Sequence, residues 1–231
     1  MKTETKMIGI LMTARDVPKV MDGSKTQLRL IIKNQPPEGV SIVGPEIYAP
    51  TKIDKYGEEY PGDDILGVYD LGGEWGAKVD YRPGDILYVK EALKESIDHD
   101  GTWARYKTDN LMVITRGGYR RWQSDDGTPW KNKVIPARYM PRSAARTFIE
   151  ITDVRCERIQ EITESDAKAE GANRPYGRSP DAYDKYGTPE GVGFSYKLGF
   201  QKLWNDTNGP DAWERNDWVF AYTFKLVEAP Q

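Results

Sequence analysis

The sequence has one cysteine, one histidine and few long apolar runs, and each scarcity disfavours a class of protein. A single cysteine (Cys156) excludes an internal disulfide and a cysteine-rich metal site, and it suits a reducing compartment. With one histidine (His99), neither a histidine-based zinc site nor a Ser-His-Asp triad is expected. The apolar run at residues 7–12 is too short for a membrane span or a signal sequence. We therefore expect a cytoplasmic protein with no membrane partner, no metal and no cofactor.

Charge is nearly balanced over the whole chain, at a formal −3, but it is uneven along it. Residues 105–146 contain ten cations and three acids, so the remainder carries −10. Aromatic residues are interleaved with these cations: Trp103, Tyr106, Tyr119, Trp122, Trp130 and Tyr139. Cations that meet phosphates and aromatic faces that stack on bases are typical of surfaces that bind single-stranded nucleic acid. The alternative is a solvated pair of strands whose arginine stems cover buried tryptophans.

Hydrophobic periodicity predicts a mainly β chain with α-helices, of the α+β type. The predicted strands are residues 7–12, 25–33, 86–91, 102–106, 112–115, 147–156 and 218–226. Two or three short helices interrupt them: one begins at Asp16, one ends at Gly171, and one covers residues 196–208. A small, mostly antiparallel β-barrel fits this pattern best. We expect a single domain over residues 1–231, with long Gly/Pro/Tyr-rich insertions at about 34–81 and 172–193.

The segment Asp22-Gly23-Ser24-Lys25-Thr26-Gln27-Leu28-Arg29 is the most informative motif. Glycine adopts positive φ without steric cost, so Gly23 lets the chain reverse from helix to strand. Lys25 would then lie at the rim of a sheet, where its ammonium meets an anionic or carbonyl-bearing ligand. An ordinary solvated lysine after a helix end is the alternative.

Four segments in order resemble ASCH-domain proteins, most of all the long members common in phage and prophage genomes. They are Gly23-Ser24-Lys25-Thr26, the strand from Pro83 to Glu91, Met140-Pro141-Arg142, and Asp217-Trp218-Val219-Phe220 followed by Phe224. The resemblance spans nearly the whole chain and implies a PUA-like β-barrel. That superfamily is chiefly linked to the recognition of RNA or modified bases in a cleft beside the barrel, and the fold also carries enzymes.

A more distant resemblance is to the bacterial N4-acetylcytidine amidohydrolase, which uses a lysine, a threonine and a glutamate. Its lysine corresponds to Lys25 and its glutamate to Glu170, whereas its threonine corresponds to Leu28, which has no hydroxyl. Leu30 stands where relatives often carry arginine. In such a reaction Glu170 would take a proton from water while the Lys25 ammonium stabilises the oxyanion. Loss of the hydroxyl would remove one orienting hydrogen bond.

The sequence thus predicts first a protein that binds RNA, single-stranded nucleic acid or a modified nucleobase or nucleoside in a cleft. The predicted cleft residues are Lys25, Thr26, Arg29 and Glu170, with Trp122, Trp130 and Arg142 at the rim. Glu91 ends a strand and either faces the same cleft or is a solvated acid. The second prediction is an amidohydrolase of N4-acylated cytosine-type bases with Lys25 and Glu170 catalytic. A protein that makes only protein contacts is the third, and the oligomeric state is left open.

Overall fold

A computed structural model describes residues 7–115, 117–174 and 195–230. Strands predominate in it, and the helices are few and mostly short. In chain order the elements are β1 (Ile8–Leu11), α1 (Asp16–Met21), β2 (Gln27–Ile31), β3 (Ile42–Tyr48), β4 (Thr51–Ile53), β5 (Glu59–Pro61), β6 (Ile65–Asp70), β7 (Gly76–Lys78), β8 (Ile86–Lys90), β9 (Leu93–Asp98), β10 (Gly101–Tyr106), β11 (Ile114–Thr115), β12 (Gly118–Tyr119), β13 (Val134–Ile135), β14 (Phe148–Arg158), α2 (Glu164–Ala169), α3 (Tyr196–Asn208) and β15 (Trp218–Val227).

The predicted class, mainly β with α, is confirmed. The strands form several sheets, and none of them closes into a barrel over the described residues. No helix in the described part of the chain is long and apolar enough to cross a bilayer. The chain forms two compact units, so the single domain expected from the sequence stays a prediction. Within the described residues, the first unit is 7–24, 84–151 and 224–230, and the second unit is 25–83, 152–174 and 195–223.

The first unit contains two sheets and a hairpin. Strand β1 runs parallel to β8, and the start of β14 pairs antiparallel with β8. Gly84 adopts φ +91° in the Pro-Gly-Asp turn before β8, as its position predicts. The second sheet has the order β10-β9-β13, and β11 pairs with β12. These elements enclose a core of Leu93, Ala104, Tyr106, Val113, Trp122, Ile135, Met140 and Ala144.

The second unit packs α2 and α3 on a core near β2 and β15. Strand β2 is antiparallel to β15 with Leu28 opposite Tyr222. The buried side chains of α3 are Phe200 and Trp204, which confirms the helical spacing of the sequence. They join a core with Ile159, Ile162, Ala167, Ala172, Ala212, Trp213 and Val219.

The expected insertion at 34–81 is more regular than a long loop. It contains the three-stranded sheet β3-β6-β7 and the hairpin β4–β5, and it buries Val68, Trp75 and Val79. Gly57 and Gly73 adopt positive φ in turns between these short strands, whereas Pro45, Pro61 and Gly67 lie within strands. The other expected insertion, 172–193, falls almost entirely on residues 175–194, outside the described residues.

Candidate functional site

The end of α2 fixes the position of Glu170. Thr163 caps the start of the helix, since its Oγ1 accepts from the amide of Asp166 at 3.1 Å. At the other end Gly171 has φ +76°, and the amide of Ala172 donates to the carbonyl of Ala167 at 3.1 Å. Gly171, in this left-handed conformation, ends α2 with Glu170 as its C-terminal cap, as the sequence predicts. The carbonyl of Glu170 is thus outside the helical ladder and available to a side chain.

Lys25 enters the second unit just before β2 and reaches this helix end. The amide of Thr26 donates to the carbonyl of Ala169 at 2.8 Å, which ties the start of β2 to the end of α2. Lys25 Nζ then lies 2.6 Å from Glu170 Oε2 and 2.8 Å from the Glu170 carbonyl oxygen. The side chains of Lys25 and Glu170 are only 6% and 4% exposed. Two residues 145 positions apart in the chain therefore form a buried ion pair.

Arg29 extends the pair into a chain of charges. Its Nη1 donates to Glu170 Oε1 at 3.0 Å and to Gln27 Oε1 at 3.2 Å. Its Nε and Nη2 donate to Glu157 Oε1 at 3.0 and 2.7 Å, and Nη2 lies 3.5 Å from Asp166 Oδ2. The Arg29 side chain has no exposure, so these acceptors replace its water completely.

Asp166 and Arg155 complete a set that we name the Lys25 cluster. It consists of Lys25, Gln27, Arg29, Arg155, Glu157, Asp166 and Glu170. Burial opposes ionisation of Asp166, but hydrogen bonds from Gln27 and Arg155 outweigh it and hold the pKa of its carboxyl below the ordinary value. Three cations face three carboxylates, so the cluster is neutral overall. It offers directed donors and acceptors rather than a net charge.

Strand β2 is buried on both faces, whereas its alternating pattern predicts burial of one. Gln27, Leu28 and Arg29 are each less than a tenth exposed. The polar face is covered because carboxylates of residues 157–170 contact Gln27 and Arg29. The alternating pattern within β2 does not predict such contacts with a distant segment. The pleat places Leu28 on the face opposite Gln27 and Arg29. The position that corresponds to the amidohydrolase threonine therefore lies away from the Lys25 cluster.

Glu91 lies in the first unit, where it is neither solvated nor part of the Lys25 cluster. Its side chain is fully buried, and its two oxygens accept from Arg146 Nε at 2.8 Å and Arg146 Nη2 at 2.7 Å. Arg146 Nη1 donates to Asp109 Oδ2 at 2.7 Å. The sequence leaves two alternatives open for Glu91, a cleft residue and a solvated acid, and neither describes this bidentate pair. The sequence shows only that Arg146 ends the basic stretch, and it does not indicate which carboxylate Arg146 contacts.

The three residues expected at the rim also lie in the first unit, and they differ in how far they are exposed to solvent. Trp122 is a core residue only 5% exposed, and its ring packs edge-on against Trp130 with centroids 4.7 Å apart. Trp122 is therefore not placed to stack on a ligand, because a neighbouring ring and the core cover it. Trp130 is half-buried beneath Arg120, whose Cζ lies 5.4 Å from its centroid, and Arg142 is exposed.

One exposed turn gathers three potential metal ligands. Asp98, His99 and Asp100 bring ligand atoms within 4.8 Å of one another between β9 and β10. All three are exposed, and such acidic groups are common without a metal, so we assign no metal site there.

No family model, curated protein or solved structure matches the chain. The resemblance to ASCH-domain proteins therefore stays a prediction from the sequence motifs.

Proposed function

We propose that this protein binds a modified nucleobase or nucleoside, free or within RNA, at the Lys25 cluster. The observation that supports the proposal is the buried contact of Lys25, Arg29 and Glu170, in which each side chain orients the next. Buried ion pairs often contribute little net stability, because desolvation offsets their attraction. A set of six charged groups held in one geometry is therefore better explained by recognition than by stability alone.

Lys25 and Glu170 have more hydrogen-bonding positions than their contacts with each other and with Arg29 use. Lysine has three N–H donors, and two of those of Lys25 are directed at Glu170 within the described residues. A carboxylate accepts at about four lone-pair positions, and Glu170 uses one on each oxygen for Lys25 and Arg29. Lys25 would donate to a base carbonyl and Glu170 would accept from an exocyclic amine. This complementarity is that of a cytosine-like edge.

The neutrality of the cluster favours a base over a phosphate as the bound group. Phosphate binding relies on excess positive charge and weakens steeply with salt. Any attraction to an RNA backbone must instead come from exposed cations such as Arg142. The PUA-like barrel and the cytoplasmic location implied by the sequence are part of the same proposal.

A second candidate is hydrolysis of an N4-acylated cytosine, favoured by the 2.6 Å contact between Lys25 Nζ and Glu170 Oε2. Glu170 would take a proton from water as the oxygen bonds to the acyl carbon, and Lys25 would stabilise the oxyanion. The C–N bond then breaks, the exocyclic nitrogen takes the proton, and cytidine and acetate leave. The opposite orientation of Leu28 means that the amidohydrolase hydroxyl has no counterpart in this cluster.

The test measures binding and turnover with N4-acetylcytidine and cytidine. Isothermal titration calorimetry at 50 and 300 mM salt reports the affinity, and chromatography reports the release of cytidine. We expect binding by the wild type with little salt dependence, and its loss in both Lys25→Met and Glu170→Gln. Turnover that disappears in the same two variants would establish the hydrolase.

A matched control separates loss of function from loss of fold. Ile162→Val removes one methylene from the core of the same unit and leaves every charge of the cluster in place. It should bind as the wild type does. If the wild type binds neither nucleoside nor an RNA containing N4-acetylcytidine, or if Lys25→Met binds normally, the proposal is wrong.

A further inference from the structure

The first unit contains an open, mostly apolar cavity of about 440 Å³ that is separate from the Lys25 cluster. It is lined by Arg105, Tyr106, Leu111, Ile114, Tyr119 and Arg146, together with Met112. Leu111, Ile114 and Tyr119 are 58%, 64% and 61% exposed. Apolar surface open to this degree at the mouth of a cavity is typical of a binding site rather than of a core.

Arg146 gives the cavity one flat, rigid wall. Its guanidinium uses one N–H group of each nitrogen: those of Nε and Nη2 donate to Glu91 and that of Nη1 donates to Asp109. Three of its five in-plane N–H donors are therefore engaged. One face lies on Tyr106, with Cζ 3.8 Å from the ring centroid. The side chain is still 17% exposed, and it lines the cavity. A ligand in the cavity can therefore contact the face of the guanidinium that Tyr106 does not cover.

A guanidinium that is paired with two carboxylates favours flat rings over anions. Three of the five in-plane N–H donors of Arg146 are used by Glu91 and Asp109, and the two negative charges of these carboxylates oppose the approach of a phosphate. Stacking on a planar π-system uses the face alone, as in the recognition of unstacked nucleobases by arginine. The pairing with carboxylates also raises the pKa of Arg146 against the opposing effect of burial, so the cation persists at every physiological pH.

Tyr119 supplies an aromatic group at the mouth. Its ring meets Trp103 edge-on with centroids 6.4 Å apart, and Arg121 covers Trp103 at 4.1 Å. The ring of Tyr119 is thereby positioned although it is exposed. Arg105 binds Ser96 through Nε and the carbonyl of Asn110 through Nη1, which orients its guanidinium at the cavity wall.

The geometry points to a second binding site, in which this cavity takes an uncharged heteroaromatic ring of the nucleobase class. The ring stacks on the open face of Arg146 and contacts Tyr119 and Leu111. Its affinity is carried by stacking and apolar contact, so it depends little on salt and does not require Lys25.

The test uses 2-aminopurine riboside and a hexauridylate with one internal 2-aminopurine, because stacking quenches the emission of this base. The two probes distinguish a free nucleoside from a base within a strand. Tyr119→Ala should weaken binding about fivefold or more, by the usual effect of removing an aromatic contact to a base. Arg146→Lys keeps a cation but loses the planar face, and it should weaken binding similarly if thermal unfolding shows that it folds.

Tyr139→Ala is a control variant that retains the site. It removes another exposed tyrosine of the same unit that does not line the cavity. This variant should quench the emission of the probe as the wild type does. The inference is overturned if the wild type quenches neither probe, or if Tyr119→Ala quenches both probes as strongly as the wild type does. It is overturned equally if a folded Arg146→Lys variant quenches them as strongly as the wild type does.

Discussion

Replacing Lys25 with methionine tests whether the buried ion pair of the second unit holds its fold together. Methionine keeps most of the volume of the lysine stem, so the change removes chiefly the ammonium. Two contacts are lost, at 2.6 Å to the carboxylate and at 2.8 Å to the carbonyl of Glu170. A hydrogen bond to a charged group contributes about 1.5–3 kcal/mol, and an orphaned buried carbonyl costs about 1–3 kcal/mol.

We therefore expect Lys25→Met to lower the free energy of unfolding by about 3–5 kcal/mol, the usual cost of breaking a buried pair from one side. Arg29 still contacts Glu170, which argues for the lower half of that range. In Glu170→Gln the charges of Lys25 and Arg29 lose a shared partner, with a cost of similar size. The double variant should cost about 2 kcal/mol less than the sum of the two singles, since the residues interact directly.

The assay is urea unfolding at pH 7, followed by tryptophan fluorescence and far-ultraviolet circular dichroism together. Lys202→Met is the matched control: Lys202 pairs with Asp206 but is 78% exposed, so the change should cost less than about 0.5 kcal/mol. The reasoning is refuted if Lys25→Met costs less than about 1 kcal/mol. It is refuted equally if the single-variant costs add within about 0.5 kcal/mol.

Three further changes have defined outcomes. Hydrogen bonds lower the pKa of Asp166 against the effect of burial, so the carboxylate stabilises the fold above about pH 5 and this contribution is lost as the pH falls below 3.8. In Asp166→Asn the free energy of unfolding should therefore depend less steeply on pH in this range, and an unchanged pH dependence contradicts the prediction. Burial raises the pKa of the Cys156 thiol to about 12, so iodoacetamide at pH 8 should label the folded protein at least about 100-fold more slowly than the protein in urea, by mass spectrometry. Gly199→Ala should lower the melting temperature although alanine favours helices, because its Cβ would overlap the Asn173 carbonyl oxygen; a higher melting temperature contradicts the packing.

Much of the secondary structure follows from local pattern. The pattern predicts a strand at 86–91, where β8 is Ile86–Lys90, and a helix at 196–208, where α3 is Tyr196–Asn208. These elements combine a clear period with turn or cap residues at their ends, and such signals act over a few neighbouring residues. The segment 34–81 is harder to predict, because its strands are short and its turn residues are frequent.

The sequence by itself determined the mainly β character, the end of a helix at Gly171 and, through the family resemblance, Lys25 and Glu170 as candidate site residues. Tertiary structure alone decided that Lys25 and Glu170 touch, that Glu91 pairs with Arg146, and that Trp122 is in a core. The physical reason is the distance along the chain over which each interaction acts. Propensity, capping and periodicity depend on neighbours in the chain, whereas the partner of a buried charge is chosen by the packing of distant segments, and an alternating pattern does not show what will cover its polar face.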